Sequence, residues 1–336
     1  MDKQKIKKPF TTVIIKTYNE ENGIEKTLKS IHENAKNVDY KVIVADSLSG
    51  DKTQEIALAN GATVVSLVNP ADRCCGVGHQ LGYLHSEGDY LLLLDGDMEL
   101  EAGFLESSLD FLENNPEYAG VAGAVEMDDA SSYEFQARKQ KLHLIYPFGD
   151  SPYLAGGGLY RKSAIDKIGY LTNKNLHAME EAELGMRLRS AGFKLHRLDI
   201  PYFSHTSYTL SSLELLKFRW KSLYLCAPGE LLRTSLGKPY FKDVLINIKN
   251  EAIFGLYLLF LLIVAITAKP LFVAVAIAPL LAFIVLKTIK NRSMVAAFYS
   301  VLTLSFFVGG LVRGFFRPNR DPMKAPENKV INKENI

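Results

Sequence analysis

The sequence predicts an α/β fold, a mostly parallel sheet flanked by helices, followed by an α-helical membrane region. Three observations carry this. Short apolar runs alternate with helical apolar spacing through the first hundred residues, and each run ends in a polar turn. One run, Tyr90 to Leu100, sets Leu91 to Leu94 directly before Asp95-Gly96-Asp97, as in a strand buried on both faces with two carboxylates at its carboxyl end. Hydrophobicity then concentrates in Ile253 to Ala268, Leu271 to Leu286 and Met294 to Val312, each about long enough to cross a bilayer core.

Thr12 to Lys16 reads as the first buried strand and ends in Thr17-Tyr18-Asn19-Glu20. Ile24, Leu28 and Ile31 then give helical spacing over Glu25 to His32. Tyr40 to Ala45 is a second strand, ending at Asp46 in a polar turn; a helix (Gln54 to Asn60) and a strand (Thr63 to Leu67) follow. No GxGxxG opens the first helix, so the dinucleotide signature is absent. Arg73 heads a glycine-dense stretch (Gly76, Gly78, Gly82), where backbone approaches a ligand closely and a guanidinium can pair with phosphate; a plain surface loop is the alternative.

Asp95 and Asp97 have two readings. Paired aspartate oxygens suit a hard divalent cation that bridges protein to a diphosphate. Turn and capping residues are also common after a strand. Ala102 to Asn114 reads as a helix, Val121 to Met127 as a strand, and Asp128 to Pro152 as an excursion near an acceptor. Gly156-Gly157-Gly158 precede a strand that passes into a helix, either letting a sugar or lipid head lie against backbone or serving tight packing.

His177 to Gly192 reads as a helix with Leu184 and Leu188 inward and an i,i+4 pair of Glu183 and Arg187. Glu180 and Glu181 fall in its first turn, where the helix dipole favours carboxylates without any further duty. A late strand, Phe193 to Leu198, leads through Tyr202 to His205. From Leu213 to Leu225, Leu213, Leu216, Trp220 and Leu223 face one side, and Lys217 and Lys221 the other, as suits a membrane interface.

The net charge is +2 and the pI about 8.2. No Arg/Lys stripe is interleaved with aromatics, which argues against nucleic acid as a partner. Cys74, Cys75 and Cys226 form no disulfide framework and have no metal-ligand spacing, so a reduced, cytoplasmic setting is expected. The basic start has no signal-peptide core after it. Three crossings from the cytoplasm would put the basic tail (Arg313, Arg317, Arg320, Lys324) outside, against the positive-inside tendency, so the count stays at two or three.

Five stretches, in order, resemble the motifs of family 2 glycosyltransferases, inverting enzymes of the GT-A (Rossmann-like) fold. VIIKTYNEE resembles their opening strand and nucleotide loop, and VIVADSLSGDKT their second strand and aspartate turn. GVGHQLGYLHSEGDYLLLLDGDMEL is similar to their glycine loop and DXD strand. GGGLYRKSAI looks like the acceptor-side glycine segment, and MEEAELGMRLRSAGFKL like the "ED" helix. The match covers roughly residues 10 to 225, nearest in character to membrane-attached bacterial enzymes of polysaccharide or cell-envelope glycan assembly.

This resemblance implies that Thr17, Tyr18 and Glu20 line a nucleotide pocket with Arg73 and Gly96, that Asp46 accepts a hydrogen bond from the base, and that Asp95 sits near the ribose and sugar phosphate. It implies that Asp97 holds Mg²⁺ or Mn²⁺, with His205 completing the shell, and that Glu181 is the general base. Glu180, Gly157, Gly158, Arg219 and Trp220 fall to the acceptor. The implied reaction is metal-dependent transfer of a hexosyl unit from a UDP- or GDP-type nucleotide-sugar to a membrane-associated, polyprenyl-linked glycan, at the cytoplasmic side of the inner (plasma) membrane. Membrane lipid is the further partner.

The organisation expected is a basic tail (1–9), a GT-A domain (10–208), interfacial helices (209–240), a transmembrane region (250–316) and a basic polar tail (317–336). Lys16 departs from the family pattern, which has proline or a small residue there, and Glu181 replaces aspartate. Leu216 takes the glutamine position of the QxxRW motif of processive synthases, which favours single-sugar transfer. From another class, the alternative is a silent GT-A-like membrane subunit that binds nucleotide-sugar or scaffolds a glycan assembly or export complex.

Overall fold

The computed structural model describes residues 9–127, 142–205, 211–267 and 269–332. The chain forms two compact units, Met1–Ser212 with Arg320–Ile336, and Leu213–Asn319. The expected tail at residues 1–8 and most of the excursion, residues 128–141, lie outside the described residues.

The first unit is built on one sheet. β1 (Phe10–Thr17) lies between β2 (Asp39–Asp46) and β4 (Tyr90–Asp95), parallel to both, and β2 is parallel to β3 (Thr63–Leu67). Val13, Ile14 and Ile15, Ile43 and Val44, and all four leucines of β4 are fully buried. That two-sided burial is why these runs are continuous and not alternating. Helices α1 (Ile24–Asn34), α2 (Thr53–Ala59) and α3 (Cys75–Tyr83) join these strands. A Cβ on Gly78 would lie 2.7 Å from Lys16 Cβ, so glycine there lets α3 pack directly on β1.

Beyond β4 the sheet is mixed. β8 (Gly158–Arg161) is antiparallel to β4 and to β6 (Tyr118–Met127). β6 runs parallel to β9 (Lys194–His205), while β5 (Met98–Leu100) and β7 (Gly149–Asp150) pair antiparallel with β9. The parallel arrangement expected from the sequence thus describes the N-terminal half. Helices α4 (Phe104–Asn114), α5 (Lys162–Ile168) and α6 (Glu180–Ser190) complete this unit. α6 starts three residues later than its apolar spacing predicts, because Met179 takes a left-handed conformation (φ 66°).

The final segment is no free appendage. β10 (Asn328–Ile331) pairs antiparallel with β3, and Ile331 is buried. Arg320 forms an ion pair with Asp72, and its carbonyl accepts from Asn175 Nδ2 at 2.7 Å. A strand laid on the β3 edge satisfies backbone groups that would otherwise face solvent.

In the second unit, α7 (Ser212–Lys221), α8 (Ala227–Thr234) and α9 (Phe241–Asn247) precede three long apolar helices, α10 (Lys249–Thr267), α11 (Pro270–Asn291) and α12 (Met294–Phe315). By length and composition each of the three could cross a membrane. The amphipathic stripe of α7 is turned from its predicted position: Leu215 and Leu216 are buried, and Leu213 faces out. Trp220 packs edge-on against Phe306, their centroids 5.5 Å apart.

Candidate active site

The carboxyl ends of β1, β2 and β4 converge, as parallel strands require, and the register sets Lys16 beside Asp95 and Thr17 beside Asp46. At the DGD turn the Gly96 amide donates to Lys16 O (3.1 Å), and Gly96 O accepts from Thr27 Oγ1 (3.0 Å). Thr17 and Glu20 pack so closely on Gly96 that a Cβ there would come within 3.0 Å of both. Thr17, Glu20, Asp95 and Gly96 therefore share one wall.

Tyr18 and Arg73 form a second surface. The guanidinium lies 4.1 Å over the Tyr18 ring and donates to Tyr18 Oη (2.8 Å), Ser47 O (2.8 Å) and Leu48 O (3.2 Å). Arg73 thus braces the loop after β2, where the sequence suggested a phosphate partner. Asp46 lies beneath the same loop. It is fully buried, and its oxygens accept from Thr17, Ser49, Gln54 and Ser66. Asp46 thus organises the loop after β2.

Lys16 stands at the centre. Its Nζ lies 3.2 Å from Asp95 Oδ1 and 3.3 Å from Glu180 Oε1. Burial alone would lower its pKa; the Asp95 and Glu180 carboxylates outweigh that and hold it well above the ordinary lysine value. Glu180 is buried in this ion pair, so the residue assigned to an acceptor faces a lysine here. His79 is buried behind them, its Nε2 donating to Leu94 O (3.0 Å), and burial followed by the Lys16 charge lowers its pKa to about 4.

Glu181 is held by the loop before β8. Gly156 N–H donates to its Oε2 (3.1 Å) and Gly157 N–H to its Oε1 (2.6 Å). Burial, then the neighbouring Glu180 charge, pushes its pKa up to about 7, against the pull of Lys16 and the Gly157 amide. Gly157 has φ +81°, and a Cβ would lie 2.2 Å from Leu93 O, so glycine is required both by conformation and by space. Gly157 thereby joins β4 to the seat of Glu181. Gly158, expected at the acceptor, packs on Val121 O.

Two residues escaped the sequence reading. Arg197 is buried on β9 and donates to Gly123 O (2.5 Å) and Ala155 O (3.0 Å), fixing the loop that holds Glu181. Tyr202 donates to Leu93 O (2.6 Å). A charged residue inside a late strand was the available signal for Arg197.

Asp97 is half-buried at the same turn. Among the described residues no group of three or more His, Cys, Asp or Glu is arranged around a cation. An Asp97 carboxylate fits Mg²⁺ or Mn²⁺ nonetheless, because such ions take one or two protein carboxylates and complete their shell with phosphate oxygens and water. One oxygen of Asp95 is engaged by Lys16. His205 ends β9, and its side chain lies outside the description. Arg219 and Trp220 belong to the second unit, where Arg219 lies 5.0 Å over the Tyr224 ring.

Residues 12–169 match the family described as glycosyl transferase family 2. The chain is 28% identical over 162 residues to glucomannan 4-beta-mannosyltransferase 7 of Arabidopsis thaliana, covering 45% of this chain and 28% of that protein, less than a third of its length. It is 24% identical over 343 residues to a dolichyl N-acetyl-alpha-D-glucosaminyl phosphate 3-beta-D-2,3-diacetamido-2,3-dideoxy-beta-D-glucuronosyltransferase of Methanococcus voltae, covering 91% of this chain and 98% of that one. Its fold resembles the mannosyltransferase PcManGT from Pyrobaculum calidifontis, solved with GDP-Man and Mn²⁺ (TM-score 0.62, 16% identity, 92% of this chain and 88% of that chain).

Proposed function

We propose that this chain, whose residues 12–169 match glycosyl transferase family 2 and whose fold is GT-A-like, is a glycosyltransferase that moves one sugar with inversion from a nucleotide-sugar to a lipid-linked acceptor, using Glu181 as general base. The observation that carries this is Glu181 itself: a half-buried carboxylate with its pKa raised to about 7, seated on two backbone amides. A base tuned near the working pH removes a proton from an acceptor hydroxyl most effectively.

Around that step each residue has a task. Thr17, Glu20 and Gly96 shape the donor wall with Asp95, and the Tyr18–Arg73 surface offers a stacking face for the nucleotide. Asp97 would hold the Mg²⁺ or Mn²⁺, which when bound offsets the charge growing on the departing diphosphate. The Mn²⁺ and GDP-Man in PcManGT support both the cation and a nucleotide diphosphate donor. Three apolar helices and the dolichyl-linked acceptor in the Methanococcus relative's name support a lipid-linked acceptor. The setting we propose is the cytoplasmic side of the inner (plasma) membrane, and three helices long and apolar enough to cross a bilayer support the membrane association.

The test is nucleotide diphosphate release from UDP- and GDP-sugars by the full chain, with and without Mn²⁺. Turnover is expected with one donor, and Asp97→Ala and Glu181→Gln are expected to abolish it while the thermal transition persists. Unchanged turnover in Glu181→Gln overturns the base assignment. No release with any donor leaves the silent-subunit reading in its place.

A further inference from the structure

We propose that Lys16 is a positioning residue of this transfer, its side chain tying the DGD turn to the helix start that carries Glu180 and Glu181 and setting a positive charge beside the base. The inference deepens the reading of Glu181 as base and rests on it. The geometry comes first. Asp95 ends β4, Glu180 opens α6, and the two lie 85 positions apart in the chain. Lys16 Nζ bridges them at 3.2 and 3.3 Å from the end of β1. Space for the lysine stem is provided by Gly78 of α3, where any side chain would strike Lys16 Cβ. The stem and its glycine partner are thus built together.

The charges around Glu181 show what that ammonium contributes. Glu180 on its own helix and Asp95 across from it both disfavour a second ionised carboxylate. Lys16 from β1 and Arg197 from β9 are the cations that oppose them. Tyr160, Tyr202 and Cys75 also face this cluster, and burial raises all three pKa values, so they stay neutral at working pH. Arg197 is held by two carbonyls. Lys16 alone of the two cations binds carboxylates directly, and through Glu180 it fixes the first turn of α6, where Glu181 is the next residue.

Lys16→Met and Lys16→Arg variants of the full chain test this, with Lys16→Gln as a second neutral form. Two readouts are taken: the pH profile of kcat/KM, and thermal melts of each background with and without Glu181→Gln. Lys16→Met is expected to lower kcat/KM roughly 10–100-fold and to move the acid limb of the profile to higher pH by about one unit. Lys16→Arg keeps the limb where the wild type has it. Glu181→Gln is expected to raise Tm at pH 8 more in the Lys16→Met background than in the wild type, because an ionised Glu181 there lacks its cation. An unmoved limb with an equal Tm gain in both backgrounds overturns the proposal, leaving Lys16 as a structural ion pair. Should the wild type turn over no donor, the reaction reading fails, and the melts still decide whether Lys16 acts on Glu181.

Discussion

Glu181 illustrates how one environment sets both a reactivity and a stability. In the proposed role its ionised form is the base, so kcat/KM is expected to rise with pH through about 7 and to fall about tenfold per unit below that. A pH–rate profile of the wild type checks this, and a flat profile between pH 6 and 8 removes Glu181 from the rate-determining step. The sign for stability runs the other way. The folded pKa lies above the unfolded value of 4.5, so the favourable contribution is complete below 4.5 and is lost as pH rises through 7. Glu181→Gln should therefore raise stability more at pH 8 than at pH 4.5, a gain reduced by the one backbone amide that glutamine, with a single acceptor oxygen, leaves unpaired, as paired thermal melts would register. Replacing a general base typically lowers kcat by ~10²–10⁴-fold, so this one substitution is expected to trade turnover for stability. Asp46 shows the opposite kind of residue. Its aspartate turn was legible in the sequence, but the convergence of Thr17, Gln54 and Ser66 on its carboxylate was not, since those partners come from three other elements.

At the scale of elements, the loop before β8 governs the site. Gly157 and Gly103 have nearly equal φ (+81° and +80°), yet a Cβ on Gly103 would meet nothing within 4 Å, whereas one on Gly157 would strike Leu93 O. Gly103→Ala is expected to cost ~1–2 kcal/mol for the left-handed backbone alone and to leave turnover intact. Gly157→Ala should cost more and also lower turnover, because the amide that seats Glu181 must move with it. Urea melts and donor turnover on the two variants separate the effects; equal losses in both would deny the loop its role. The sequence revealed the elements whose signals are local. β4 shows itself in four leucines because both its faces are buried, and α6 in Leu184, Leu188 and the buried Glu183–Arg187 pair at 2.8 Å. β5 and β7 have three and two residues and exist only through their pairing with β9. No periodicity can announce so short a strand. β10 was hidden for a related reason, since Asn328-Lys329-Val330-Ile331 reads as tail until the β3 edge is there to receive it.

For the whole molecule, connectivity constrains the membrane region. The chain leaves the first unit after Ser212 and returns to it at Arg320, and β10 then pairs with β3. Points of exit and return on one folded body lie on one side of a bilayer, so the segment between them crosses an even number of times. Three helices long enough to span cannot then all span, and two crossings are expected. Charge selects the pair. The turn between α10 and α11 carries only Lys269, whereas the junction of α11 and α12 carries Lys287, Lys290 and Arg292. With the catalytic unit in the proposed cytoplasmic setting, the bias that orients cationic loops toward the cytoplasm assigns the more basic junction to the cytoplasmic side. α10 and α11 then form the spanning hairpin, and α12 begins and ends on the same face, as an interfacial or re-entrant helix. Its neighbours in the second unit suit that place: Trp220 lies against Phe306, and the Arg313 guanidinium is 5.3 Å from the Trp220 ring, the aromatic and cationic pairing common at lipid headgroup level. Single cysteines at Lys269, Arg292 and Lys324, introduced in a chain freed of its native cysteines, decide the matter with a membrane-impermeant thiol reagent on intact cells and on inverted vesicles. Lys269→Cys should react from the face opposite to Arg292→Cys and Lys324→Cys. Labelling of Arg292→Cys and Lys269→Cys from the same face would overturn the hairpin. Labelling of Lys324→Cys from the face opposite the first unit would contradict the pairing of β10 with β3.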